Sequence, residues 1–254
     1  MTKTEHGGKP LVLFLHPIGL DRHVWSDVLV PGSTALDFPG HGMTPATGPV
    51  SMAGLADWVL GHISRPATLV GMSLGGMVAQ QVAVRAPDAV ASLVVACSSA
   101  ASNPRMMRER AAMTRENGMA GILETTLDRW FTPQARSAPG HPGVEYARQR
   151  LLADDPEIVA QYWEAMAGHD VKAQLSSINV PTTFIAGAGD KASSLEVLQA
   201  MAEAVPGAEL KVVDGPHMLS LERPGEFSAV LARHLDRVYG RSSRSDQMTE
   251  SPLP

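Results

Sequence analysis

Ser73, Asp190 and His217 are the residues whose types and chain positions could together break an acyl bond. A serine hydroxyl is a weak nucleophile until a base takes its proton. Imidazole suits that task near neutral pH, and a carboxylate behind it fixes its tautomer and steadies its charged form. Ser73 is the centre of Gly71-Met72-Ser73-Leu74-Gly75, between the apolar run Ala67 to Val70 and the stretch Gly76 to Val84. A strand that reverses sharply into a helix holds the turn residue strained and exposed, and small residues two before and two after leave room for the turn.

The base and the acid are sought on loops that follow strands. His217, in Gly215-Pro216-His217, comes just after the last apolar run, whereas His234 lies inside an amphipathic helix and is expected at the surface or an interface. The bland alternative for His217 is a loop histidine without a role. Asp190 ends Phe184-Ile185-Ala186-Gly187-Ala188-Gly189-Asp190. It could instead cap the next helix, but Ser193 with Glu196 three residues on makes a capping-box pattern that fills that role. Asp214 and Asp170 are weaker rivals. The negative oxygen that develops in acyl transfer needs donors, expected from the backbone N–H of Leu74 and of Ile18, since Pro17 has none. Pro17-Ile18-Gly19 reads equally well as a plain strand-ending turn.

These residues need a scaffold of alternating strands and helices, and the chain supplies one. Leu11 to Leu15, Ala67 to Val70, Ser92 to Cys97, Thr182 to Ala186 and Glu209 to Val213 read as strands, with Ser33 to Asp37 a short sixth. Helices are expected at Asp21 to Leu29, Ser51 to His62, from Gly76 to near Pro87, Leu195 to Ala204 and Gly225 to Val238. Crossovers between all strands imply a mostly parallel sheet of about six strands covered by helices on both faces. Between Ser98 and Ile178 the alternation stops and Arg- and Met-rich helical pieces, broken at Gly118, Pro133, Pro139 to Gly143 and Pro156, suggest an inserted helical cap. The expected organisation is thus an α/β core over 1–98 and 179–240, a cap over 99–178, and a polar, Ser-rich tail, 241–254, without order.

Composition narrows the classes. The 254 residues are 44% hydrophobic with a formal net charge of -5 and no dense Lys/Arg block, which argues against nucleic acid as partner. Cys97 is the lone cysteine and no zinc-type spacing or phosphate-binding glycine loop occurs, so no metal, organic cofactor or disulfide is expected. The polar start and the short apolar run cut by Pro17 fit neither a signal peptide nor a membrane span, which points to a soluble cytoplasmic protein with a small-molecule substrate.

From Leu11 to about Leu235 the chain resembles the α/β-hydrolase superfamily. The order Ser73, Asp190, His217 is that family's order, and Asp37-Phe38-Pro39-Gly40-His41-Gly42 and Glu222-Arg223-Pro224 are words typical of it. Within the family, Gly71 to Met77, Asp128-Arg129-Trp130-Phe131-Thr132 and Gly215-Pro216-His217-Met218 look most like 3-oxoadipate enol-lactonases and related small esterases. The resemblance implies a cofactor-independent serine hydrolase of a small ester or lactone. Rivals with the same triad are a carbon–carbon bond (diketone) hydrolase or an amide hydrolase, and a rival of another class is a receptor-like fold with little turnover. Trp130, Arg129 and Met218 are the expected substrate-binding residues, Arg129 as a holder of a substrate carboxylate. Met72, Met77 and Met107 are further candidates for an apolar wall. Two departures stand out: Pro17 where many relatives carry glycine, and only ten residues before Leu11 where a hairpin is usual. The strand at Ser33 to Asp37 should then lie near a sheet edge that residues 1–10 or a homodimer partner covers.

Overall fold

A computed structural model of the protein describes residues 11–240. Six strands, β1 (Leu11–Leu15), β2 (Thr34–Leu36), β3 (Ala67–Met72), β4 (Val90–Ala96), β5 (Thr182–Gly187) and β6 (Glu209–Val213), form one sheet in the order β2-β1-β3-β4-β5-β6, every neighbouring pair parallel. Every residue of the interior strands β3 and β5 is buried, as continuous apolar runs require when helices cover both faces. The two edges differ: β2 and β6 are partly open to solvent, and each keeps only its last residue fully buried. The edge position of β2 agrees with the expectation. The segments proposed to cover it, 1–10, and the tail 241–254 lie outside the described residues.

Helices α1 (Met52–Leu60), α2 (Leu74–Arg85), α7 (Leu195–Ala204) and α9 (Pro224–Tyr239) clothe the sheet, with the single turn α8 (Leu219–Glu222) after β6. Ser51 caps α1 by accepting the Gly54 N–H at 3.0 Å. The segment expected to be helical from Asp21 to Leu29 is shorter, a 3-10 turn over Arg22–Trp25 capped by Asp21. His234 of α9 is not at the surface. It is 2% exposed, its Nδ1 and Nε2 lying 2.9 Å from Thr183 Oγ1 and 3.0 Å from Ser92 Oγ, so an amphipathic helix here directs a polar ring onto hydroxyls of the sheet.

Between β4 and β5 the chain forms α3 (Pro104–Trp130), α4 (Pro133–Ser137), α5 (Pro142–Ala153) and α6 (Pro156–Ala167). The prolines at 133, 142 and 156 begin these helices rather than break them, because an N–H in the first turn has no intrahelical acceptor and its loss breaks no helix bond. Asn103, Thr132, His141 and Asp155 each cap the helix that follows. Gly118 is different: at φ 63° and ψ -179° it breaks α3 into two helical halves. An antiparallel bridge between Ala101 and Asp170 ties together the two ends of this helical segment.

Candidate active site

Ser73 joins β3 to α2 with φ 54° and ψ -117°, a conformation costly for any residue but glycine. The turn is held by the Ser73 N–H donating to Ala96 O at 2.9 Å, and by Ser73 O accepting from Met77 N at 3.1 Å and from Ser98 Oγ at 2.8 Å. The flanking glycines are steric necessities: a Cβ at Gly71 would lie 2.3 Å from Gly75 O, and one at Gly75 only 2.0 Å from Leu15 O in β1. Gly75→Ala is therefore expected to prevent close packing of α2 on the sheet, lowering the unfolding midpoint by many degrees in a circular-dichroism melt. A wild-type melting curve would contradict this reading of the turn.

On the far side, the loops after β5 and β6 are laced together by backbone, Ala188 N donating to Val213 O and Gly189 N to Gly215 O, each at 2.9 Å. Gly187 permits this approach, since a Cβ there would meet Pro216 O at 2.5 Å. The lacing sets His217 Nδ1 at 2.8 Å from Asp190 Oδ2, with side chains 2% and 0% exposed. The Asp190 Oδ1 accepts the N–H groups of Ala192 and Ser193, at 2.6 and 2.9 Å. Burial would raise this carboxyl's pKa, but His217 and those two N–H donors outweigh it and hold the pKa below the usual carboxylate range. A carboxylate so held keeps the proton of His217 on Nδ1 and leaves Nε2 free to accept.

The expected capping box does not form. Ser194 is the N-cap residue of α7, and Ser193 instead donates its hydroxyl to Cys97 O at 3.2 Å, so Asp190 both faces His217 and orders its own loop. Cys97 is buried beside the pair at φ 45°, and its ligand atom and those of Asp190 and His217 lie within 4.8 Å of one another. These donors suit a metal poorly. The imidazole and carboxylate are bonded to each other, and burial with the Asp190 charge pushes the Cys97 thiol well up, away from the thiolate a metal takes.

Ser73, His217 and Ile18 line one cavity of about 180 Å³, roofed by Trp130, Arg129 and Trp163 from the inserted helices. Among the described residues no hydrogen bond joins Ser73 Oγ to His217, a contact that often tightens only when substrate is bound. Met77, Met106, Met107 and Met166 supply its apolar wall. Met218, expected at the substrate, does not line this cavity. It is fully buried and its N–H donates to Trp130 O at 3.0 Å, which seats the aromatic roof on the core. Met72 is likewise core, fully buried under the turn. A larger hollow of about 840 Å³ lies between residues 46–53 and α6, but Ser73, Asp190 and His217 do not line it.

The loop His16 to Gly19 is fixed by two histidines that sequence reasoning passed over. His16 Nε2 accepts the Phe38 N–H at 2.9 Å while Nδ1 faces Pro17 O at 2.7 Å, and His41 Nε2 accepts the Gly19 N–H at 3.2 Å. The Ile18 N–H is left without an acceptor among the described residues, as is the Leu74 N–H at the first position of α2. Behind the loop, Arg150 of α5 pairs with Asp21 at 3.1 Å and with Asp154, and Tyr146 donates to Asp21 Oδ1 at 2.8 Å. Burial lifts Asp154 to about 7 despite Arg150. This cluster packs α5 against Gly19, whose φ of 69° and closeness to Leu151 leave no room for a side chain.

Burial also depresses His16, His169 and His234 to about 4 and His41 well below its ordinary value. Each binds a proton less readily folded than unfolded, so the stability these neutral rings allow is complete above about pH 6.5 and is lost as pH falls, for His16, His169 and His234 through 4. The expected slope near pH 5 is about 1.4 kcal/mol per pH unit for each of His16, His169 and His234. Urea denaturation across pH 4.5–7 checks it: His234→Gln should flatten the profile by about one proton, and a flat wild-type profile would contradict the burial argument.

A parallel sheet crossed by helices, with a strained serine turn between a strand and a helix and an Asp–His pair on the loops beyond it, defines a hydrolase of the α/β type. The chain belongs to the alpha/beta hydrolase family, whose profile matches residues 12–230. It is 29% identical over 232 residues to 3-oxoadipate enol-lactonase 2 of Acinetobacter baylyi, covering 87% of this chain and 86% of that one. It is 30% identical over 247 residues to the pimeloyl-[acyl-carrier protein] methyl ester esterase of Chromobacterium violaceum, covering 91% and 96%. Among solved structures, the enol-lactonase from Burkholderia xenovorans superposes with a TM-score of 0.85 at 26% identity, over 91% of this chain and 93% of that one. Among the described residues no helix is long and apolar enough to cross a membrane.

Proposed function

We propose that the protein is a serine hydrolase of a small ester or lactone, acting through an acyl-enzyme on Ser73. The observation that carries this reading is the buried 2.8 Å contact between Asp190 and His217 on the wall of the cavity onto which Ser73 opens. In the first step His217 Nε2 takes the Ser73 proton as Oγ attacks the carbonyl carbon, and the Ile18 and Leu74 N–H groups receive the oxygen that becomes negative. Collapse breaks the acyl–oxygen bond, and His217 returns the proton to the leaving oxygen. Water then attacks the acyl-enzyme with His217 again as base, freeing Ser73 and a carboxylate. In a lactone the leaving oxygen stays on the acyl chain, and in an enol-lactone that tethered oxygen is an enolate, which takes its proton from His217.

The helical segment 99–178 serves as the cap that shapes the substrate, since Trp130, Arg129 and Trp163 roof the cavity from it. Likeness to the Acinetobacter enol-lactonase favours a lactone, and likeness to the Chromobacterium enzyme favours a methyl ester as the second substrate class. Colorimetric hydrolysis of p-nitrophenyl acetate, followed by pH-stat assays of small lactones and methyl esters, tests the reading. Turnover is expected and should survive prolonged chelation. Inert behaviour toward every ester and lactone would contradict the proposal and favour a binding protein on the same fold.

A further inference from the structure

We propose that Arg110 and Arg129 form an anion subsite in the active cavity and that the substrate carries a free carboxylate remote from the bond it loses. The proposal rests on Ser73 and His217 being the hydrolytic centre, and it names what the other end of the substrate must be. Both arginines line the cavity of Ser73 and His217, and both also line a recess of about 40 Å³ that adjoins Thr126 and Trp163. They are nineteen residues apart, a separation that a straight helix would stretch to about 28 Å. The break at Gly118 folds the two halves of α3 so that both guanidiniums meet at one cavity.

What distinguishes this pair is that both are partly buried and neither has a carboxylate partner among the described residues; Arg108 has none either, but it is exposed to solvent. Arg105, Arg115, Arg136, Arg148 and Arg150 of the same helical segment are each bonded to Asp or Glu. Arg110 instead lies over the Trp163 ring at 5.0 Å, and Arg129 donates only to Thr126 Oγ1 at 3.3 Å. Asp128, the acid nearest Arg129 in sequence, is engaged by Arg136 and Lys191. Burial, and then the charge of Arg110, pull Arg129 down to about 10. Two partly buried like charges that weaken one another destabilise a fold unless an anion joins them. Planar guanidiniums, one stacked on an indole and one tethered to a threonine, present forked donors that match a carboxylate, while the surrounding methionines accept the apolar chain between it and the scissile carbonyl.

The test compares monomethyl esters of linear dicarboxylic acids of four to eight carbons with the corresponding dimethyl esters. For at least one length, wild-type kcat/KM should be tenfold or more higher for the half-ester. Arg110→Gln and Arg129→Gln should bring that ratio toward one, chiefly through the half-ester KM, and Arg129→Lys should recover part of it. Unfolding midpoints of the Gln variants should stay level or rise, whereas a structural arginine would lower them. The free dicarboxylates should also bind Ser73→Ala, read by tryptophan fluorescence, and lose that binding when Arg129→Gln is added. This arm decides the subsite even if no ester is hydrolysed, a result that would instead sink the hydrolytic reading. Half-esters no better than diesters, or dicarboxylate binding indifferent to both arginines, would overturn the proposal.

Discussion

Ser73→Ala is expected to lower turnover of any ester or lactone the protein hydrolyses by roughly 10³-fold or more, with the fold intact. The loss is chemical rather than structural. Among the described residues the Ser73 hydroxyl makes no hydrogen bond, while the bonds that hold the turn, to Ala96, Met77 and Ser98, all use Ser73 backbone atoms and survive the change. What disappears is the oxygen that would attack, leaving only the donors at Ile18 and Leu74 and the positioning of substrate. Steady-state kinetics alongside a melting curve separates the two effects. Activity within tenfold of wild type, or a collapsed fold, would each contradict this account of the turn.

Asp190→Asn is expected to cost roughly 10³- to 10⁴-fold in kcat for a reason visible in the two carboxylate oxygens. Oδ1 accepts the Ala192 and Ser193 N–H groups, so an asparagine must keep its carbonyl there and turn its NH₂ toward His217 Nδ1. Nδ1 then has to accept, the ring proton moves to Nε2, and the base points a hydrogen at Ser73 instead of a lone pair. Asp190→Ala is expected to lose the loop bonds as well, and so to melt below Asp190→Asn. Equal melting with equal activity in the two variants would contradict this division of labour between the oxygens.

The fold was legible because its signals are local. Uninterrupted apolar runs placed β1, β3, β4 and β5, and glycines around Ser73 announced a turn whose steric need for them is confirmed at Gly75 against Leu15. The expectations that Asp190 faces His217 and that Ser193 caps α7 rest on one argument; Asp190 does face His217, but it also binds its own loop, and Ser193 does not cap α7. A capping box is a four-residue pattern, and the pull of Cys97 O on Ser193, 96 residues away in sequence, overrides it. His234 was misplaced for a similar reason: amphipathic spacing says which face a ring occupies, not that Ser92 and Thr183 wait beneath it.

Within the site, order along the chain suggested Ser73, Asp190, His217, Ile18 and Leu74, since each follows a strand. Arg129 and Trp130 of the phrase that resembled a family word do reach the cavity, but Met218 of the other phrase turns into the core. Arg110 carried no signal of its own among many cap arginines. Its place depends on the break at Gly118, whose consequence for helices packed in three dimensions no linear pattern states. The same holds for His16, His41 and the Asp21–Arg150–Asp154 cluster, which meet only once α5 has settled on the loop after β1.

The most direct measurement of the central claim is the mass of the protein after reaction with an ester-mimicking fluorophosphonate, followed by peptide mapping. The account predicts one adduct per chain, on Ser73, formed quickly by the wild type, far more slowly by His217→Ala, and not at all by Ser73→Ala. An adduct on any other residue, or a wild-type protein that hydrolyses esters yet takes up no label, would contradict it.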